Sequence, residues 1–321
     1  MNRGRRTVLV TGARGFVGAA CLPLLAARGF EVVAVTSAEV PADSPGLKWQ
    51  RCDLLDPATC AALIGTERPT HLLHLAWITT PGTFWSSPAN LGWLAAGARL
   101  ASEFYRSGGG RAVGLGSCAE YAIPDDAPCI EDVTPLGPAT VYGKAKAAMH
   151  LAIQAAAQAH GKSYAWGRLF FPYGPGEAVG RFIPSVIRGL LARDPVACTH
   201  GLQVRDFIFV SDAAAACVAL LESDRSAAYN IGSGTGVSLR QVAEALGRTL
   251  GGADLVRYGA RQPPAFDPPR IIADVGRIGR DTGWAPRVGL EDGLARSVDA
   301  QRAGAAATHT QIANPAPGAA R

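Results

Sequence analysis

Tyr142 and Lys146 are the residues whose types and spacing first suggest chemistry. They begin and end Tyr-Gly-Lys-Ala-Lys, at the start of an Ala-rich stretch, Tyr142–His160, whose pattern predicts a helix ended by Gly161. On a helix, residues i and i+4 share a face. A phenol is normally too weak an acid to work at neutral pH, but a neighbouring ammonium favours its ionised form and makes it a usable acid–base group. Ser117, at the end of a predicted strand beginning at Arg111, offers a hydroxyl to a carbonyl or an alkoxide. A Tyr–Lys pair at this spacing is commonplace on helices, so it gains meaning only from what surrounds it.

A second signature lies at the other end of the chain. Thr11-Gly12-Ala13-Arg14-Gly15-Phe16-Val17-Gly18 follows the β-branched run Thr7–Val10 and opens a predicted helix that runs to about Arg28 and is closed by Gly29. The pattern G-x-x-G-x-x-G between a strand and a helix suits a dinucleotide pyrophosphate. Backbone without Cβ atoms lets N–H groups approach the phosphates, and the helix N-terminus adds partial positive charge. Gly18 lets helix and strand pack closely. An acid at the end of the second strand would accept from a ribose 2′-OH and mark NAD, but here Val35 is followed by Thr36-Ser37, with no carboxylate before Glu39. Thr36, Ser37 and the loop base Arg14 suit a 2′-phosphate, so NADP is favoured over NAD. Asp53, after the third strand, is placed to touch the adenine.

The elements that must position these groups alternate. Strands are predicted at Glu31–Thr36, Leu47–Cys52, Thr70–Ala76, Arg111–Leu115 and Tyr164–Phe171, and helices at about 57–64 and at Trp93–Ser107. This alternation predicts a parallel sheet covered on both faces, an α/β Rossmann-type doubly wound fold over residues 1–171. From 172 the texture changes: prolines and a helix near Ile183–Ala192 mark a smaller C-terminal substrate-binding lobe, mainly 172–300. Val204–Val210 and Ala228–Ile231 read as segments near 204–232 that return to the main sheet. Leu239–Gly251 predicts a further helix, the proline-rich 261–270 a loop, and the Ala/Pro/Thr-rich 302–321 a disordered tail.

Composition narrows the remaining classes. Of 321 residues, 48% are hydrophobic and 18% charged, with a net charge of +5, which argues against disorder for the bulk of the chain. The longest apolar run, Ala213–Leu221, is half of what a membrane span needs, and the basic start lacks a signal-peptide core, so a soluble cytoplasmic protein is expected. No stripe of Lys/Arg interleaved with aromatics points to nucleic acid. Seven scattered cysteines without a C-x-x-C pair predict small buried side chains, with no disulfide framework and no metal site.

Together these motifs resemble the extended short-chain dehydrogenase/reductase family of NAD(P)-dependent nucleotide-sugar epimerases, dehydratases and reductases. Matching segments run from Thr7 to about Leu294: the loop Thr11–Gly18, His74-Leu75-Ala76, Asn90, Ser117, Tyr142, Lys146, Arg168, Tyr173-Gly174-Pro175-Gly176, Arg205-Asp206-Phe207, Val210-Ser211-Asp212 and Asn230–Gly234. The resemblance implies Ser117, Tyr142 and Lys146 as catalytic. It implies a dinucleotide held by Gly12, Arg14, Gly15, Phe16, Val17, Gly18, Thr36, Ser37, Asp53, Leu54, Leu75, Ala76, Trp77, Phe170 and Tyr173 as well as the Tyr–Lys pair. It further implies a nucleoside-diphosphate sugar in the cleft between lobes, with Arg205 matching the family's diphosphate contact and Arg261 a second candidate. Trp77, Phe84, Cys118, Phe171 and Arg181 are the remaining expected sugar contacts, and a homodimer packed through the helices beginning near Leu91 and Tyr142 is implied.

Departures from the family pattern narrow the reaction. The family's sugar 4,6-dehydratases place an Asp-Glu pair directly after the hydroxyl residue, where this chain has Cys118 and Ala119. Members that epimerise at C3 and C5 before reducing carry a Cys and a His where this chain has Ala119 and Gly176. Two chemistries remain: reduction of a 4-keto-6-deoxy sugar by NADPH, the favoured reading, and 4-epimerisation with retained NAD.

Overall fold

Strands covered on both faces must be apolar throughout, and Val8–Val10 and Val32–Val35 are all buried. In a computed structural model, which describes residues 6–263 and 267–313, the first part of the chain alternates as expected. It runs β1 (Thr7–Thr11), α1 (Phe16–Ala27), β2 (Glu31–Thr36), β3 (Leu47–Arg51), α2 (Pro57–Glu67), β4 (His71–His74), α3 (Ala89–Arg106), β5 (Arg111–Ser117), α4 (Val141–Ala159) and β6 (Ser163–Leu169). The second part runs β7 (Phe171–Tyr173), α5 (Phe182–Ala192), β8 (Val196–Ala197), β9 (Val204–Phe209), α6 (Val210–Glu222), β10 (Ala227–Ile231), β11 (Gly236–Ser238), α7 (Leu239–Leu250), β12 (Val256–Arg257), β13 (Arg270–Ile271), α8 (Gly276–Thr282) and α9 (Leu290–Ala313).

Seven parallel strands form the main sheet in the order β10-β6-β5-β4-β1-β2-β3. One face is covered by α1 and α6 through Cys21, Leu25, Ala214 and Cys217, the other by α2, α3 and α4 through Ile64, Leu100, Phe104, Met149 and Ile153. Strand order reverses at β1, which lies between β4 and β2, and a doubly wound sheet opens its ligand crevice at that point, beyond the carboxyl ends of the strands. Thr11, Thr36, His74, Ser117 and Leu169 all end strands on this edge. The Thr11 hydroxyl stitches the crevice floor: it lies 2.8 Å from His74 Nδ1 and accepts from the N–H groups of Leu75 and Ala76.

Local sequence explains the helix starts nearest the site. Asp56 caps α2 by accepting from Ala58 N–H, with Pro57 at the first helical position. Thr140 caps α4 by accepting from Gly143 N–H, which fixes where Tyr142 emerges.

Two expectations about the second part change. Val204–Val210 does not return to the main sheet: β9 joins a separate four-stranded sheet with β7, β11 and β13, and only β10 extends the main one. The reason is polar. β9 carries buried Asp206, whose carboxylate accepts from the N–H groups of Ser233, Gly234 and Ala273, donors that the smaller lobe supplies. Nor does a tail begin at 302, because α9 continues to Ala313; an Ala-rich stretch is the best intrinsic helix former. Residues 314–321, like Arg3 and Arg5, lie outside the described residues. All seven cysteines are buried and free, and among the described residues no helix is long and apolar enough to cross a membrane.

Candidate active site

A cleft of about 810 Å³ opens along the carboxyl edge of the main sheet and runs under the smaller lobe. At one end stands the glycine loop. Gly12 adopts φ +68°, and a Cβ there would come within 2.7 Å of Ala76 N, so this turn takes glycine. A Cβ on Gly18 would overlap the carbonyl oxygen of Gly12, which is backbone and cannot yield. Gly18→Ala is therefore expected to cost about 1–3 kcal/mol of stability and to abolish dinucleotide binding. Thermal unfolding and cofactor titration check this; a variant with normal melting temperature and affinity would contradict the packing argument.

The N-terminus of α1 is bare: Gly15 offers no capping side chain and the first turn has no acid. Unsatisfied N–H groups at a helix start, facing a cleft, fit a pyrophosphate. The ends of β2 and β3 add Thr36, Ser37, Asp53 and Leu54 to the lining. Arg14 is exposed and donates to the carbonyl of Glu39, 3.0 Å away, which holds its guanidinium across the end of β2. The residues present fit a dinucleotide.

At the other end, Ser117, Tyr142 and Lys146 line the cleft together, each buried. Tyr142 packs edge-on against Phe84 and Trp85, with centroids 4.9 and 5.5 Å away. Burial pushes its phenol upward, and the neighbouring Ser117 hydroxyl opposes that. Lys146 Nζ donates to the carbonyl of Leu115 at 2.7 Å and sits 4.0 Å over the ring of Trp77. Burial lowers its ammonium to about 7, and the carboxylate of Glu120 acts in the opposite sense. Cys118 is a buried thiol pushed up to about 12, a neutral wall beside Ser117.

The cleft also takes in Gly12, Gly15, Phe16, Val17, Gly18, Leu75, Ala76, Trp77, Phe84, Phe170, Phe171, Arg181 and Arg205, as expected from the sequence. Two expected residues are not brought there. Tyr173 turns into the core of the smaller lobe, against Phe207 and Phe209, with its hydroxyl donating to Leu290 O. Exposed Arg261 does not line the cleft; its backbone N–H donates to Cys198 O.

Three acids went unnoticed in the sequence. Asp267, within the proline-rich stretch 261–270, pairs with Arg205 and accepts from Gln203. Glu177 lines the cleft with one carboxylate oxygen buried and without a hydrogen-bond partner; burial pushes it up to about 8. Glu120, fully buried, lies directly behind Ser117.

A switch-point crevice carrying a glycine loop at one end and a Ser/Tyr/Lys set at the other defines a dinucleotide-binding protein of the Rossmann class. The family model described as the NAD dependent epimerase/dehydratase family matches residues 8–232, and the chain belongs to that family. It is similar to the UDP-glucose 4-epimerase of Bacillus subtilis (strain 168), 27% identical across 90% of this chain and 95% of that protein. A shorter match, 32% identical across 43% of this chain and 48% of the relative, is to the CDP-abequose synthase of Salmonella typhimurium. Among solved structures it is similar to MoeE5 in complex with UDP-glucose and NAD, with a TM-score of 0.80 and 29% identity over 93% of this chain and 99% of that one.

Proposed function

We propose that this chain is an NADPH-dependent reductase of the C4 keto group of a nucleoside-diphosphate 4-keto-6-deoxy sugar. The observation that carries the reading is the make-up of the wall around Ser117: a hydroxyl, a phenol and an ammonium, followed by a neutral thiol and an alanine at positions 118 and 119. Such a wall can polarise a carbonyl and protonate its oxygen. It supplies no carboxylate pair there for removing water.

A bound NADPH supplies the hydride. Ser117 donates to the C4 oxygen and Tyr142 delivers the proton to it, while the Lys146 ammonium stabilises the phenolate left behind. Trp77, Phe84 and Trp85 exclude water from this end, and Arg205 and Arg181 provide positive charge for the diphosphate. Arg205 must then exchange Asp267 for phosphate oxygens.

Arg14 and the absence of an acid at Thr36-Ser37 support NADPH. Arg14→Ala is expected to weaken NADPH binding by about 10–100-fold, the worth of a charge-assisted contact, while NADH changes by less than about threefold. Parallel titrations measure both, and an equal loss for the two cofactors contradicts the assignment. Leu91 on α3 and Leu151 on α4, each 59% exposed, support a homodimer through those helices.

The direct assay mixes purified protein, NADPH and a nucleoside-diphosphate 4-keto-6-deoxy sugar and follows loss of NADPH absorbance. The second reading, 4-epimerisation with retained NAD, uses the same three residues and is favoured by relatives named as UDP-glucose 4-epimerases. It wins if NADPH is not consumed and a pair of nucleoside-diphosphate hexoses interconverts without added cofactor.

A further inference from the structure

Two thiols that the proposed chemistry does not use meet at the glycine-loop end of the cleft. Cys52 directly follows β3 and lines the cleft beside Thr36, Asp53 and Leu54, while Cys60 lies in the first turns of α2. Their sulfurs are in contact at 3.8 Å, and both thiols are free. A disulfide holds its sulfurs about 2.0 Å apart, so the pair needs to close by about 1.8 Å. The turn 53–59 that joins them is tightly held. Leu55 N–H donates to the Asp53 carboxylate at 2.9 Å, and Thr59 Oγ1 donates to Asp53 O at 2.8 Å. The Cys52 backbone is anchored, its N–H donating to Thr36 O at 2.9 Å, so closure draws this turn and the start of α2 toward β3. Asp53 and Leu54, which line the cleft, move with it. Cys21 and Cys217, by contrast, lie in the core under α1 and α6, away from the cleft.

We propose that Cys52 and Cys60 are a modification site: hydrogen peroxide closes them into a disulfide, which shifts the turn 53–59 and weakens dinucleotide binding. The effect on binding rests on the reading of this end of the cleft as the dinucleotide site. Cys52 is 3% and Cys60 4% exposed, so the oxidant must be small, and the cleft wall gives it access to Cys52. The Cys52 thiolate attacks one peroxide oxygen and breaks the O–O bond, forming a sulfenic acid; the hydroxide released takes up the proton that Cys52 lost. The Cys60 sulfur then attacks the sulfenic sulfur, the S–S bond forms, and the oxygen leaves as water with the Cys60 proton. Two thiols are oxidised by two electrons and one peroxide is reduced to two waters. A dithiol reverses the change by exchange. Coupling between the two events is reciprocal, so a bound dinucleotide opposes closure to the degree that closure weakens the dinucleotide.

The test needs no substrate, which separates it from the proposed reaction. The reduced full chain is treated with excess hydrogen peroxide, its remaining thiols are alkylated after unfolding, and a tryptic digest is weighed. Arg68 precedes a proline and resists trypsin, so one peptide, 52–99, carries both cysteines and no other. The expected product is this peptide two hydrogens lighter and unalkylated, restored to two alkylated thiols by dithiothreitol. A peptide 52–99 that stays alkylated at both cysteines, or that is oxidised without joining them, overturns the proposal. The second readout titrates the oxidised full chain with NADP+ and, separately, with NAD+. Whichever dinucleotide the reduced chain binds is expected to bind about tenfold or more weakly after closure, to recover with dithiothreitol, and to slow closure when added first. In Cys52→Ser/Cys60→Ser peroxide is expected to leave the affinity where it was, which separates this pair from oxidation at Cys118. Equal affinity before and after closure, or an equal loss in the double variant, overturns the proposal whether the protein proves to be a reductase or an epimerase.

Discussion

Tyr142→Phe is expected to lower turnover by about 10²–10⁴-fold, the usual contribution of a positioned proton donor, while leaving dinucleotide affinity and melting temperature close to those of the parent. The substitution removes one oxygen and little else. Phe84 and Trp85 pack on the ring, which Phe retains, and the backbone N–H of residue 142 still donates to Trp85 O at 3.1 Å. The loss should therefore fall on kcat, with KM little changed, because the phenol acts on the carbonyl oxygen as charge develops there. Steady-state kinetics beside a cofactor titration separate the two. Unchanged turnover would remove Tyr142 from the reaction, and Ser117 and Lys146 would lose the group they are placed to serve.

The largest expected stability effect belongs to Arg168→Met. Arg168 and Glu120 are a buried ion pair, 3% and 0% exposed, and removing one partner leaves an uncompensated charge among apolar neighbours. Such a change costs about 3–5 kcal/mol, whereas removing both charges is often close to neutral. Urea unfolding of Arg168→Met, Glu120→Gln and the double variant closes a cycle in which the double is expected to regain most of the loss. A loss below about 1 kcal/mol for Arg168→Met would mean that the network around Glu120 is not the rigid base of the Ser117 turn.

What the sequence disclosed was local, and what it concealed was distant. The glycine loop, the Tyr–Lys spacing and the alternation of strand and helix lie within windows of a few turns, and residues 7–169 fold much as their periods require. Glu120 gave no such signal. It follows Ser117 by three residues, but Trp166 and Arg168, which define its role, stand 46 and 48 residues further on. Asp267 reaches Arg205 across 62 residues. Tyr173 sits in a motif that reads as part of the cleft, yet its ring follows β7 into the smaller lobe, because Phe207 and Phe209 offer it an apolar seat there. The same limit explains β9, since a strand of six residues does not announce which of two sheets will pair with it. Among the chain's 38 glycines, Gly12 and Gly18 are backbone approaches at the loop, and Gly116 makes room for the Glu120 carboxylate.

The measurement that bears most directly on the proposed reaction is the fate of a labelled hydride. NADPH carrying deuterium at the transferable position of its nicotinamide is incubated with the protein and a nucleoside-diphosphate 4-keto-6-deoxy sugar, and the product is examined by mass spectrometry and proton NMR. The expected result is one deuterium at C4 of the sugar for each NADPH oxidised. Unlabelled sugar, with the added NADPH intact and a pair of nucleoside-diphosphate hexoses interconverting in its absence, would contradict the reductase reading and establish the epimerase.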